Sequence, residues 1–192
     1  MISHNYKYIF IHVPKCAGTS IEKYLLNLEG IKRPERSSLL PQNIQNQYHL
    51  DSGIKGHAFH EEFDITFREK YFSFTFVRNP FDKVVSEYSW DSRFKNISFL
   101  EFLKTPKKWK IRHVNKQVEF IDKHIDFIGR FENLQEDFET VCDIIEIPRQ
   151  ELPREKKRKH KHYTEYYDDE TKQIVAEQYA KDIEYFGYKF GE

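Results

Sequence analysis

Twice in this chain, a short run of β-branched and aromatic residues leads directly into a helical pattern. Lys7–Val13 reads KYIFIHV and Phe72–Val77 reads FSFTFV, and both runs are typical of buried strands. Apolar residues at helical spacing then extend from Ile21 to Leu28, while Asn79 and Pro80 are favoured at a helix start. Strands that alternate with helices predict an α/β fold of three layers, with a central, mostly parallel sheet flanked by helices.

Weaker patterns complete the predicted elements. They comprise strands at Ile54–Phe59 and Asp126–Gly129, and helices at Phe63–Lys70, after Asn133 and at Asp168–Phe186. Asn133 and Glu136 have the spacing of a capping box at the start of a helix. A length of 192 residues suits one domain, which we expect to span residues 1–192.

Composition and charge exclude several classes of protein. The 31 Lys and Arg residues balance the 31 Asp and Glu residues, which disfavours a general nucleic-acid binder. The apolar runs are far shorter than the roughly 20 residues of a membrane span, so we expect none. Two cysteines and an N-terminus without secretory features predict a cytoplasmic protein.

The first strand–helix junction has the residues of an anion-binding loop. His12–Ile21 reads HVPKCAGTSI, and a turn that enters a helix gathers backbone N–H groups at the positive end of the helix dipole. Lys15 adds a charge, and Thr19 and Ser20 add hydroxyl donors. The segment is P-loop-like, but it has a single glycine and its lysine precedes that glycine. The alternative interpretation is a capped junction with an exposed lysine.

The second junction, Thr75–Tyr88, reads TFVRNPFDKVVSEY and offers a second anion clamp. Arg78 follows a strand, at the edge where open parallel sheets hold their ligands. Ser86 lies about two helical turns further on, and an arginine fork recognises phosphate geometry selectively. Alternatively, Arg78 pairs with Asp82 or Glu87 and Ser86 is an ordinary helix residue.

Together the two segments resemble the carbohydrate-type sulfotransferases of family 2, which use 3′-phosphoadenosine 5′-phosphosulfate (PAPS). The first match, to the loop that holds the 5′-phosphosulfate, comprises Lys15, Cys16, Ala17, Gly18, Thr19 and Ser20. The second match, to the segment that holds the 3′-phosphate, includes Arg78 and Ser86. The resemblance implies PAPS as co-substrate, the nucleotide PAP as product, and no required metal.

The same resemblance implies a catalytic base between the motifs. His57 occupies the matching position in KGHAFHEEF, and imidazole titrates near neutral pH, where it can accept a proton from a sugar hydroxyl. Lys15 is the second catalytic candidate. His60 and Glu61 are candidates for acceptor binding, although His60 also fits a residue at the start of a helix. A metal site at His57 and His60 lacks further ligands.

Two basic segments extend the site prediction. Lys159, in the run Arg154–Lys161, and Tyr163 are expected to contact the nucleotide, following family precedent, although such runs are also found as solvated surface. In residues 104–116, Trp109 is expected to stack on a sugar ring of the acceptor. The expected acceptor is a sugar, glycolipid or other glycan hydroxyl compound.

Other functions fit the motifs less well. The cysteine phosphatase pattern requires an arginine six residues after Cys16, where Glu22 stands. For an ATP-dependent phosphotransferase, this chain lacks the usual nucleotide-binding lysine and an obvious Mg²⁺-binding aspartate. The remaining alternative is a non-catalytic module of the same fold that binds PAP or a glycan.

Overall fold

The computed structural model describes residues 1–32, 43–44, 58–90, 92–105, 113, 115–153 and 161–192. The chain forms two units. The first, here called the sheet unit, comprises Met1–Val77 and Glu119–Glu155, and the second, the helical unit, comprises Arg78–Val118 and Lys156–Glu192. The single domain expected over residues 1–192 stays a prediction.

A four-stranded sheet organises the sheet unit. Its strands lie in the order β1 (Ile2–Ser3), β2 (Tyr8–Ile11), β3 (Phe72–Val77) and β4 (Phe127–Arg130). The pair β1–β2 is antiparallel, whereas β2–β3 and β3–β4 are parallel. The predicted α/β class with a mostly parallel sheet is therefore confirmed. The sequence analysis missed β1, which has only two residues.

Seven α-helices accompany the sheet among the described residues. They are α1 (Gly18–Leu28), α2 (Ile65–Arg68), α3 (Pro80–Trp90), α4 (Phe99–Lys104), α5 (Leu134–Ile144), α6 (Asp169–Gln178) and α7 (Ala180–Phe186). Helix α1 includes the predicted stretch from Ile21 to Leu28, α3 begins at Pro80 as predicted, and α2 is shorter than predicted. The strand predicted at Ile54–Phe59 lies outside the described residues except for Ala58 and Phe59, which are not in a strand.

Aromatic side chains fill one face of the sheet. Phe74 on β3 lies between Phe10 and Phe76, with ring centroids 5.1 and 6.5 Å away. Phe138 from α5 packs 6.4 Å from Phe76 and closes the core on this face. Gly129 pairs with Phe76 in the sheet, and a Cβ at this glycine would approach the Phe76 ring to 2.4 Å. This face therefore requires a residue without a side chain beside Phe76.

Two predictions about helix ends are wrong. The Asn133 side chain makes no cap hydrogen bond, because a 3-10 turn over Phe131–Asn133 continues directly into α5. The Asp137 carboxylate instead accepts a 2.6 Å hydrogen bond from the Arg130 N–H. The single helix predicted over Asp168–Phe186 is two helices, because Tyr179 leaves helical geometry with ψ of 23° while its ring stays buried.

The helical unit has its own apolar core. It is formed by α3, α4 and α6, and its buried residues include Phe81, Val85, Phe102 and Val175. The Tyr167 ring packs edge-on against Phe81 at 5.6 Å. This core fixes α3, the helix that contains most of the second sequence motif.

Candidate active site

The loop between β2 and α1 has an unusual backbone. Lys15 and Ala17 both adopt left-handed conformations, with φ of 68° and 62°, and Cys16 between them does not. Non-glycine residues rarely adopt positive φ, and such strain concentrates at functional sites. Alternation of left-handed and ordinary residues turns successive N–H groups toward one point, the arrangement of an anion-binding nest. The loop geometry thus suits a bound anion at the start of α1.

Residues in this loop alternate between partial exposure and burial. Those at the odd positions are half-exposed and those at the even positions are buried: Lys15, Ala17 and Thr19 in the first set, Cys16, Gly18 and Ser20 in the second. The Cys16 thiol is 1% exposed and donates to the Pro14 carbonyl at 3.4 Å. The six predicted loop residues therefore divide into three that can present side chains to a ligand and three that pack.

His12 and Glu22 support the loop, and the sequence analysis assigned them no role. Nδ1 of His12 lies 2.7 Å from the Glu22 carboxylate, and Glu22 is 3% exposed. A Cβ at Gly18 would come within 2.0 Å of the His12 ring, so the glycine is required for this close approach. The available signal was the position of Glu22, three residues before the buried Leu25 and thus on the inner side of α1.

The second junction is capped by a side chain, as predicted. Oδ1 of Asn79 accepts a 3.1 Å hydrogen bond from the Phe81 N–H, and Pro80 is the first residue of α3. Nδ2 of Asn79 also donates to the Lys189 carbonyl at 2.9 Å. Asn79 is 1% exposed, so the start of α3 is fixed within the helical unit.

Arg78 is oriented by an ion pair. Its Nε and Nη2 lie 2.8 and 2.7 Å from Oδ2 of Asp82, one helical turn further on. This is the pair that the sequence analysis gave as the alternative to a phosphate clamp. An ion pair that fixes a guanidinium is also compatible with anion binding, because arginine has five N–H donors in a planar fork. Ser86 lies on α3 and is half-buried.

Tyr163 lies in the core of the helical unit. It is 4% exposed, and its hydroxyl accepts a 2.7 Å hydrogen bond from the Gly191 N–H and donates to the Glu192 carbonyl at 3.1 Å. Its ring packs edge-on against Phe190 at 5.7 Å. The structure therefore places this tyrosine against residues 190–192 in a packing role, with little surface for the predicted nucleotide contact.

His60 is a buried core residue of the sheet unit. Its Nδ1 lies 2.7 Å from Asp122 and its Nε2 3.0 Å from the Ser73 hydroxyl, and neither His60 nor Ser73 is exposed. The three side chains have the order of a serine hydrolase triad, but a serine with no exposed surface cannot attack a substrate. With both ring nitrogens engaged and no surface, His60 has a structural role rather than the predicted contact with an acceptor. Its neighbour Glu61 is exposed.

Three predicted site residues lie outside the described residues. They are His57, Trp109 and Lys159. Most of the two basic segments, 104–116 and 154–161, also lies there.

The described part of the chain contains neither a metal-binding cluster nor a membrane-spanning helix. No group of three or more His, Cys, Asp or Glu side chains within the described ranges is placed to hold a metal ion. The helices among the described residues are too short and too polar to cross a membrane.

Comparisons with known proteins identify the family. An uncharacterized protein from Archaeoglobus fulgidus is 37% identical over 84 residues, which cover 41% of this chain and 70% of that protein. The model of the sulfotransferase family, family 2, matches residues 1–189, nearly the whole chain. The match extends through both units and through both strand–helix junctions. The chain therefore belongs to the sulfotransferase family, whose members generally use PAPS and act on small-molecule acceptors.

Proposed function

We propose that this sulfotransferase transfers the sulfuryl group of PAPS to a hydroxyl of a carbohydrate-type acceptor, with His57 as the base. The single observation that carries the proposal is the left-handed backbone at Lys15 and Ala17, in a loop that opens α1. Backbone N–H groups, the helix dipole and the Lys15 charge together suit a 5′-phosphosulfate. Because the family match runs through both units, we treat residues 1–192 as one catalytic domain.

The order of the strands supports our proposal that both motifs bind one nucleotide. Ile11 on β2 pairs with Thr75 on β3 in parallel, so the chain leaves both strands at the same sheet edge. The first motif follows β2 and the second, which begins at Arg78, follows β3 directly. Ligands of open parallel sheets bind at this edge. We assign the 5′ end of the nucleotide to the loop at Lys15 and its 3′-phosphate to Arg78 and Ser86.

The proposed reaction is an in-line displacement at sulfur. His57 accepts the proton of the acceptor hydroxyl while its oxygen forms a bond to sulfur. The bond from sulfur to the bridging oxygen of the 5′-phosphate breaks, and that oxygen gains negative charge. Lys15 and the loop N–H groups stabilise this charge, as does Thr19 through its half-exposed hydroxyl. Atoms and charge balance without a metal ion.

The acceptor side of the site is assigned more coarsely. Glu61 is exposed and is the described residue that we assign to the acceptor side, whereas buried His60 is left out of the proposal. Trp109 and Lys159 keep their proposed contacts with acceptor and nucleotide on the resemblance alone. A sugar or glycolipid hydroxyl in the cytoplasm is the proposed acceptor.

Transfer of labelled sulfate from PAPS to an array of sugars and glycolipids tests the proposal. We expect wild-type transfer to one acceptor class, and His57→Ala to lose transfer while calorimetry shows that it still binds PAP. His4→Ala, which removes an exposed histidine, is the matched control. Near-wild-type transfer by His57→Ala would show that His57 is not the catalytic base.

A ligand screen separates the alternatives. Thermal stabilisation by PAP, but not by ATP with Mg²⁺, supports the sulfotransferase site, because a ligand that binds only the native state raises its stability. Stabilisation by ATP with Mg²⁺ instead would indicate a phosphotransferase. PAP binding without transfer to any acceptor would indicate a non-catalytic module.

A further inference from the structure

The main chain of Arg78 is held on both sides by one buried glutamine. The Arg78 N–H donates to Oε1 of Gln117 at 2.9 Å, and Nε2 of Gln117 donates back to the Arg78 carbonyl at 2.8 Å. Gln117 has no exposed surface. This amide therefore satisfies both polar groups of the Arg78 main chain, as a neighbouring strand would.

A carboxylate on α7 holds the glutamine in turn. Oδ2 of Asp182 accepts a 2.8 Å hydrogen bond from the Gln117 N–H, and its Oδ1 accepts a 3.0 Å bond from the Val118 N–H. Asp182 is also completely buried. The two carboxylate oxygens thus fix the main chain at Gln117 and Val118, and the Gln117 side chain in turn fixes the main chain of Arg78.

The charge of Asp182 is accommodated by a buried lysine. Lys83, from the second motif, is 1% exposed, and its Nζ donates to the His113 carbonyl at 3.0 Å and lies 5.4 Å from the Tyr179 ring. Burial raises the pKa of Asp182, while the N–H groups of Gln117 and Val118 and the Lys83 charge oppose the rise. Buried charges are costly unless they are paired and hydrogen-bonded.

We propose that Gln117 and Asp182 are positioning residues that preset Arg78 for the nucleotide 3′-phosphate and thereby set the selectivity for 3′-phosphorylated nucleotides. The inference rests on the proposed function. Gln117 fixes the main chain of Arg78 and Asp82 fixes its guanidinium, so the residue loses little conformational freedom when it binds an anion. If Arg78 were less constrained, the protein would bind the rest of the nucleotide equally well but would lose its preference for nucleotides with a 3′-phosphate.

The affinity ratio between PAP and adenosine 5′-phosphate measures this selectivity, because the two ligands differ only in the 3′-phosphate. We expect Gln117→Met, which keeps the side-chain length, to reduce the ratio about tenfold, equivalent to about 1.4 kcal/mol. Asp182→Asn should reduce it in the same direction, because an amide cannot accept both N–H groups as the carboxylate does. Adenosine 5′-phosphate affinity should stay within about twofold, since its binding does not involve the 3′-phosphate clamp.

Matched controls are available on exposed helix positions. Gln173→Met on α6 and Glu184→Gln on α7 repeat the same chemical changes at exposed sites of the helical unit. Both controls should keep the wild-type ratio. Calorimetric titration with each ligand gives the affinities for all variants.

The outcomes separate the two levels of the proposal. If the wild type does not prefer PAP, or if Arg78→Ala keeps the preference, the proposed nucleotide site itself is wrong. If Arg78→Ala loses the preference but Gln117→Met and Asp182→Asn keep it, the positioning role is wrong and the site stands. Equal losses for both ligands, or failure of both variants to fold, would give the pair a purely structural role and overturn the inference.

Discussion

The two strand–helix junctions differ in how the start of the helix is built. At the first, the backbone itself is arranged: Lys15 and Ala17 are left-handed, and the Ala17 cap position contributes no side-chain hydrogen bond. At the second, the strand passes into α3 with Asn79 as a side-chain cap, and Asp82 pairs with the guanidinium of Arg78 that we propose as a phosphate ligand. One junction uses main-chain geometry, and the other uses side chains held by buried partners.

The difference predicts where each junction is vulnerable. A site built on backbone N–H groups depends on the close approach at Gly18 and on the charge of the half-exposed Lys15. A site built on a side chain depends on partners that are distant in sequence, such as Gln117 and Asp182. Variants at the two junctions and in the two units test this contrast.

The largest effect is expected for Lys15→Ala. We propose that the Lys15 charge stabilises the leaving oxygen, so its removal should lower kcat roughly 100- to 1,000-fold. Alanine tolerates the positive φ as poorly as lysine does, and the side chain is half-exposed, so stability should change by less than about 0.5 kcal/mol. Steady-state kinetics and thermal unfolding measure both. Lys32→Ala, at an exposed lysine, is the control. Unchanged turnover in Lys15→Ala would show that Lys15 has no catalytic role.

Gly18→Ala should be the most destabilising change at the first junction. The new Cβ would overlap the His12 ring, which Glu22 holds in place, and overpacking costs about 1–3 kcal/mol. Urea unfolding measures the loss. The double variant Gly18→Ala with His12→Ala should recover part of it. No recovery would show that the ring is not the obstacle.

Asn79→Ala tests the cap of the second junction. Loss of an N-cap side chain costs about 1 kcal/mol, and the Lys189 carbonyl loses its donor as well. Asn27→Ala, at an exposed position within α1, should be neutral or slightly stabilising because alanine favours helix. Equal stabilities of the two variants in urea unfolding would contradict a capping role.

The smallest effects concern pH, and they have opposite signs in the two units. Burial pushes the pKa of Asp122 up, but hydrogen bonds from the His124 N–H and His60, with the Arg68 charge, outweigh it, so the pKa lies below 3.8. Asp122 therefore stabilises the native state above the unfolded-state pKa, and this contribution disappears as the pH falls through the folded pKa. The pKa of Asp182 is raised instead, so its contribution is present at low pH and decreases as the pH rises above 3.8.

Unfolding free energies of Asp122→Asn and Asp182→Asn between about pH 3 and 7 check these signs. The difference between wild type and Asp122→Asn should shrink toward low pH. The difference between wild type and Asp182→Asn should instead grow in favour of the wild type toward low pH. The same sign for both would contradict the assignment.

Strong local patterns made most of the elements predictable. β2, β3, α1 and α3 follow from apolar periodicity and from Asn79 with Pro80. The sequence did not predict that the helix over Asp168–Phe186 is interrupted at Tyr179, because apolar residues continue at helical spacing on both sides of it. A change in the backbone angles of one residue does not alter that spacing.

The site was predictable in residue type but not in arrangement. The sequence identified the loop residues, yet the left-handed backbone decides that Lys15 faces solvent while Cys16 packs. The roles of His60 and Tyr163 depended on burial, which no local pattern indicated. Gln117 and Asp182 were missed because their contacts join segments that are 39 and 65 residues apart in the chain.

The alternating exposure of the first loop has a practical consequence for protein engineering. Positions 15, 17 and 19 can carry new chemistry without disturbing the interior, so a library randomised there explores donor selectivity. Positions 16, 18 and 20 are buried, so the space around them limits which residues they can accept. These three alternate positions thus form a small set for variants that accept a different activated donor.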